Sequence, residues 1–181
     1  MKDFKQFNIP YIGLKEGSHT FEYHIDKKFF DAFQFDEFND VDATVTINFV
    51  KKSTLLELSF NVKGTVNVPC DVTSEPYNQE VNGNFPLVVK FGTEFNDENE
   101  EILVLPYEEY QLNVAQYIYE LIILSVPSKR VHPQVLDGTM ESDTLKKLQE
   151  LEIKEEKFVE KNDSTDPRWD KLKDLLTGKN T

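Results

Sequence analysis

From residue 4 to about 106 the chain alternates apolar and polar side chains. In "HTFEYHID" Phe21, Tyr23 and Ile25 share one face, and in "ATVTINFV" Val45, Ile47 and Phe49 alternate with Thr44, Thr46 and Asn48. A strand sends successive side chains to opposite faces, so both segments read as half-buried strands. A polar turn at Lys51, Lys52 and Ser53 leads into a second strand with Leu56, Leu58, Phe60 and Val62 on one face, which predicts an antiparallel hairpin. Gly64 predicts a bulge or bend, because the alternation resumes at Val66 and Val68. "NFPLVVKFG" is a further strand. The Asn82-Gly83 pair before it reads as a turn, and Pro86, which has no N–H to donate, puts the strand's start at a sheet edge or a bulge.

Two segments follow the helical period instead. "DKKFFDAF" predicts a short helix with Asp26 as N-cap and Phe29, Phe30 and Phe33 on one face. "NVAQYIYELIILSV" carries Asn113 as N-cap and Gln116 three residues later as its capping-box partner. Its apolar residues run nearly all the way round, which predicts a long buried helix ended by Pro127. The expected fold is α+β: a mainly antiparallel sheet, or a partly closed barrel, with this helix buried against it. Its core is expected to include Phe49, Leu58, Phe60, Leu121 and Ile122.

After residue 137 charges dominate, and the apolar residues thin to Leu145, Leu148, Leu151, Ile153 and Phe158. The expected organisation is a folded domain over 1–136, a charged, partly disordered linker with a short helix over 137–165, and a C-terminal helix over 166–178. In "DPRWDKLKDLL" Asp166 can cap, Pro167 takes the first helical position, and Trp169, Leu172 and Leu176 share a face. A helix this short is marginal alone in water, so its apolar face needs a surface, either on its own domain or on a partner. The reading taken is a docking helix, with Trp169 as anchor and Arg168, Lys171 and Lys173 facing phosphate or an acidic rim.

Charge narrows the partner. With 33 acidic against 20 basic residues the formal net charge is −13, which repels a phosphate backbone and suits a basic protein. One short basic patch stands out, Lys129, Arg130 and His132 in "SKRVHP". Catalytic chemistry finds little support. The single cysteine, Cys70, rules out an internal disulfide framework and a multi-cysteine zinc site. Asp71 and Glu75 are expected to raise its pKa with nothing nearby to lower it, so it reads as a small buried hydrophobe. His19 and His24 fall on opposite strand faces. The acidic "EFNDENEE" lacks the spacing and glycine of a calcium loop and reads as a solvated hairpin connection. No catalytic residue, metal site or cofactor is expected. The apolar run "YIYELIILSVP" is interrupted by Glu120 and too short to span a bilayer, and the N-terminus has no secretory apolar core, so a cytoplasmic protein is expected.

Three segments taken together resemble one family: "VKGTVNVPCDVTSEPY", then "LNVAQYIYELIILSVP", then the terminal "DPRWDKLKDL". The chain from about Phe21 to Leu176 is similar to the YceD, or large ribosomal RNA subunit accumulation protein, family. The resemblance implies a small bacterial or plastid protein needed for normal levels of large-subunit (23S) rRNA. It implies a non-enzymatic role in ribosome biogenesis, with a ribosomal protein, the large-subunit rRNA or the pre-50S particle as partner, and no membrane or small-molecule substrate. Many relatives have a second cysteine three residues after the first, where this chain has Thr73, so metal binding does not carry over. Two other classes stay open on the residues alone: a metal-dependent RNA-processing enzyme using the acids of "NDENEE", and a small-molecule binding barrel lined by Phe21, Tyr23, Phe49, Phe60 and Phe85.

Overall fold

The computed structural model describes residues 4–99 and 101–151. A single 3-10 turn (Lys5–Phe7) leads into β1 (Asn8–Ile9), followed by β2 (Gly17–Asp26), α1 (Lys27–Ala32), β3 (Asp40–Lys51), β4 (Leu55–Pro69) and β5 (Pro76–Gly92). Then come β6 (Asn96–Asn99), β7 (Ile102–Pro106), β8 (Leu112–Asn113), α2 (Ala115–Ser125), α3 (Pro133–Leu136) and α4 (Asp143–Leu151). The chain divides into two units, Met1–Leu145 and Lys146–Thr181. The first holds every element from β1 to α3. α4, the short helix expected in the charged segment, begins in the first unit, where the Ser142 hydroxyl accepts the Thr144 N–H, and its later residues fall in the second.

Six strands form one sheet in the order β2-β3-β4-β5-β7-β6, antiparallel throughout except for the parallel β5–β7 pair, while β1 and β8 form a separate two-stranded ladder. This is the expected α+β, mainly antiparallel architecture. The partly closed barrel is corrected: among the described residues β2 and β6 remain the sheet's two edges, so the sheet is open. The alternation works as anticipated. Register places Phe21, Ile47, Phe60 and Phe85 side by side on one face, with Phe49, Leu58 and Leu87 in the next row, all on the side the helices cover. The opposite face is polar, with charges of both signs such as Glu57, Lys63 and Glu80, and there the Asn84 amide donates to Ser59 Oγ (3.2 Å) and Asn61 Oδ1 (2.9 Å).

Two glycines play other parts than their local signals suggested. The register runs through Gly64, opposite Ala43, without a shift, so there is no bulge there. A Cβ at Gly64 would strike the Asp42 carbonyl and the Ala43 backbone, and the residue is small because the two strands come so close. Asn82-Gly83 is not a turn but the interior of β5, paired across from Val62 and Lys63. Gly83 lies on the covered face, where a Cβ would run into the Ser125 hydroxyl and, at 3.2 Å, Leu121 Cδ1: α2 rests on the space a side chain would take. Pro86 does not start a strand but lies inside β5, opposite Ser59 of β4, in the stretch whose other side β7 does not yet pair. Val88 N–H donates toward β7, to the Glu101 carbonyl, and two residues earlier Pro86 faces the same side before that pairing begins. The acidic segment is more than a connection, since Asn96–Asn99 is itself the edge strand β6, paired with β7.

The helices show where periodicity overreached. α1 begins as expected, with the Asp26 carboxylate accepting the Phe29 N–H. α2 is shorter than the expected long buried helix, and it is buried on one face only, through Ala115, Ile118, Leu121 and Ile122; Leu124 is 82 % exposed. The capping box is absent as well. Asn113 Oδ1 accepts the N–H of Ala115 (3.0 Å), while Gln116 turns forward to Glu120 instead of back to the cap. β8 claims Asn113 for pairing with Asn8, and the N-cap position moves one residue on, to Val114. The five core residues named above are all buried.

Candidate partner-binding surfaces

The sequence-predicted site falls in two places. Asp166, Pro167, Arg168, Trp169, Leu172 and Lys173 lie outside the described residues. Lys129, Arg130 and His132 lie on the segment between α2 and α3, and the fold uses two of them to close the β4–β5 turn. Arg130 and Asp71 bond reciprocally: the Asp71 N–H donates to the Arg130 carbonyl and the Arg130 N–H to Asp71 Oδ2, each at 2.7 Å. The Arg130 guanidinium stands 3.6 Å from Asp71 Oδ1 and 3.7 Å from Glu37 Oε2, with its side chain only 26 % exposed. This arginine is a staple with its charge compensated on two sides. His132 donates its backbone N–H to Cys70 Sγ (3.3 Å), and its Nδ1 accepts the Gln134 N–H (3.1 Å), which leaves the ring proton on Nε2 and caps α3. Its ring lies 5.3 Å from that of Tyr77. Lys129 is left exposed.

The reading of Cys70 needs correction. Burial pushes the thiol up, yet its pKa lies below the usual value, because hydrogen bonds from the Thr73 side chain and from the backbone of His132, Thr73 and Val72 favour the thiolate. Thr73 is itself buried, so the position where many relatives were expected to carry a second cysteine here binds the sulfur by a hydrogen bond. The sequence carries two signals of this arrangement. Pro69 fixes the turn, and a Cys-x-x-Thr turn aims successive backbone N–H groups at the sulfur. With 2 % of its surface exposed, Cys70 is a hydrogen-bonded turn anchor, closed to solvent. Among the described residues no group of three or more His, Cys, Asp or Glu side chains gathers at metal-binding distance.

A second surface went unread in the sequence. Between α2 and the β6–β7 hairpin lies a groove of about 690 Å³, lined on its apolar side by Phe85, Phe95, Leu105, Tyr117 and Leu124 and bordered by Asp97 and Glu120. A smaller hollow of about 370 Å³ shares Phe85, Tyr117, Glu120 and Leu124 with it and continues along α2 to Gly83 and Ser125. Tyr117 stacks on Phe85, ring centres 6.2 Å apart. Its pKa is pushed up to about 12, first by burial and then by the negative charges of Asp97 and Glu120. The signal that could have revealed the groove was the apolar excess around α2. Such an excess predicts burial on all sides only where there is cover on all sides, and one sheet face cannot cover a whole helix.

An open, mostly antiparallel sheet with helices on one face and a carboxylate-bordered apolar groove beside α2 defines an α+β protein of the sheet-and-helix class. Within that class, the family model described as large ribosomal RNA subunit accumulation protein YceD matches residues 58–176, most of the chain, and the chain belongs to this family. The match starts inside β4, later than the Phe21 start expected from the motifs, and takes in the Cys70 turn, α2 and the terminal Asp-Pro-Arg-Trp segment. The family is described by rRNA accumulation and not by a reaction, which ties the chain to the large ribosomal subunit. No curated protein and no solved structure matches the chain. Among the described residues no helix is long and apolar enough to cross a membrane.

Proposed function

We propose that this protein supports accumulation of large-subunit (23S) rRNA without catalysis, by holding a basic ribosomal protein during assembly of the pre-50S particle in the cytoplasm. Family membership supplies the process. The observation that carries the choice of a protein partner over RNA is the fate of the basic patch. Arg130 is spent on Asp71 and Glu37, and the chain's net charge is −13, so the domain offers phosphate little and a cationic protein much. Lys129 and His132 are assigned a minor share, toward acidic or neutral groups at the edge of that partner. The terminal segment contributes in the same reading as a docking helix, with Asp166 and Pro167 starting it, Trp169 and Leu172 as anchors and Arg168 and Lys173 at its rim.

The test is co-sedimentation of the tagged full chain with pre-50S particles at low and high salt, with and without RNase on the released complex. Association that survives RNase and weakens with salt is expected. Deleting residues 162–181, or Trp169→Ala alone, is expected to abolish co-sedimentation and leave the domain's melting temperature almost unchanged. A large drop in melting temperature with co-sedimentation retained would show that the terminal segment serves the fold and that binding resides elsewhere. Association lost on RNase treatment would replace the protein partner with rRNA.

A further inference from the structure

We infer that the groove beside α2 is the docking site for a cationic amphipathic helix of a basic protein partner, its apolar side on Phe85, Phe95 and Leu124 and its Lys or Arg side chains over Asp97 and Glu120. The inference rests on the reading that the partner is a protein, and it locates where on the domain that partner sits.

Shape comes first. The two hollows share four lining residues and run together along one flank of α2, whose eleven residues span roughly 16 Å at the α-helical rise. A trench of that length takes about three turns of a second helix. The floor is apolar and uncovered: Leu124 is 82 % exposed and Phe95 57 %, although most large apolar residues of this domain are buried. Exposed apolar side chains that converge on one concavity are the usual mark of a helix-in-groove contact.

Charge then decides which helix fits. The residues lining either hollow include the carboxylates Asp97 and Glu120 and neither lysine nor arginine. Both carboxylates act on the Tyr117 hydroxyl, so their field reaches into the trench. An apolar floor whose charged border residues are all carboxylates repels nucleic acid and rejects an acidic helix. It accepts one whose apolar stripe is flanked by cations, because each buried contact is then matched by a favourable charge at the rim. Glu120 is presented by its bond from Gln116, one helical turn before it, and Asp97 by the exposed edge strand β6.

The experiment uses the full chain and a fluorescein-labelled 14-residue Lys/Leu amphipathic peptide, with anisotropy read at low and moderate salt. Saturable one-to-one binding is expected. Leu124→Gln is expected to weaken it at least tenfold, and Asp97→Asn with Glu120→Gln by a similar factor while flattening its salt dependence. Unchanged affinity in both variants overturns the inference, as does equal binding by oligolysine of the same charge, which has no apolar stripe. Displacement of the peptide by an RNA oligonucleotide would overturn it in favour of RNA, and a wild-type dimer that Leu124→Gln dissociates would overturn it in favour of a second copy. A large gain in peptide affinity on deleting residues 162–181 would also overturn it, because the groove would then be taken by the chain's own end. Co-sedimentation of the same variants separates the two readings. If wild type and both variants co-sediment equally, the partner reading stands and the groove is wrong. If wild type itself fails to co-sediment, the partner reading falls, whatever the peptide does.

Discussion

The two flanks of α2 are built from similar residues and end up in different states. On one flank Tyr119 stacks on Phe33 with ring centres 4.4 Å apart, Phe33 stacks on Phe4 at 4.5 Å, and Phe30 lies against Phe29, Phe35 and Phe38, closing an aromatic cluster. On the other Tyr117 stacks on Phe85, but Phe95 and Leu124 beside it are open to solvent. Tyr117 and Tyr119 are two residues apart, about 200° around a helix, so they lean to different sides of it, although Tyr119, packed on Phe33, also borders the groove. What separates the flanks is the chain available to cover them. The N-terminal segment is pinned to the start of α2 by the β1–β8 ladder and by the Val114 N–H on the Phe7 carbonyl (3.0 Å), and with α1 it roofs the first flank. The second is bordered by β6, a four-residue edge strand with every residue exposed, too narrow and too polar to roof anything. Apolar surface alone does not predict burial. It predicts a need for cover, which either the chain or a partner supplies.

The largest effect is expected where cover is complete. Phe30 has no exposed surface and meets four aromatic neighbours, so Phe30→Ala is expected to cost about 3–5 kcal/mol by urea unfolding. A loss under about 1 kcal/mol would show that the cluster collapses around the gap. The flanks would then differ less in packing than the ring contacts suggest.

Next in size is the seat of α2. Gly83→Ala puts a methyl group into the Ser125 hydroxyl, which now donates to the Leu121 carbonyl at 2.6 Å, and against Leu121 itself. The serine can rotate away but loses that bond, and the leucine must give, so a destabilisation of about 1–3 kcal/mol is expected. Because the same contact sets the depth of the smaller hollow, tighter binding of the Lys/Leu peptide to this variant would argue against the present seat of α2.

The covered flank was largely legible in the sequence and the open one was not, for a physical reason. Phe29, Phe30, Asp26 and the alternating strands report local conformation, and local conformation carries a period. Whether Leu124 is buried depends on what lies above it in three dimensions, and no period encodes that. Gly83 shows the same limit: Asn-Gly is a turn signal when chain reversal decides its role, but here helix approach decides it, at a distance of some forty residues along the chain. Lys129-Arg130 was legible as charge and illegible as a site, because the carboxylates that consume Arg130 come from Glu37 and Asp71, far away in sequence.

A smaller effect, confined to high pH, comes from Tyr117. Its folded-state pKa of about 12 lies above the unfolded value of 10, so the folded state holds the phenolic proton more tightly. Stability tied to this group is complete below pH 10 and is lost as pH rises toward 12. A phenolate absorbance titration should show one tyrosine ionising late that is missing in Tyr117→Phe, whose stability should fall less steeply over this window. Asp97→Asn with Glu120→Gln should bring that ionisation down. If it does not move, burial alone sets it, and the carboxylate field does not reach the groove.

The smallest expected effect on stability is the sharpest test of the comparison. Leu124 touches solvent over most of its surface, so Leu124→Gln removes little buried contact, and a helix accepts glutamine about as readily as leucine. The change in unfolding free energy should stay within about 0.5 kcal/mol, as at other surface positions away from caps and ion pairs. Phe30→Ala and Leu124→Gln both remove a large apolar side chain from the surroundings of α2, so the ratio of their effects measures how far one flank is closed and the other open. A Leu124 variant as damaging as the Phe30 variant would mean that the second flank is covered in the folded protein, and the groove would have to be given up as a place for a partner. A near-silent Leu124 variant would leave an exposed leucine, beside an exposed phenylalanine and between two carboxylates, with no part in holding the fold together. Such a residue contributes to stability only when something binds over it.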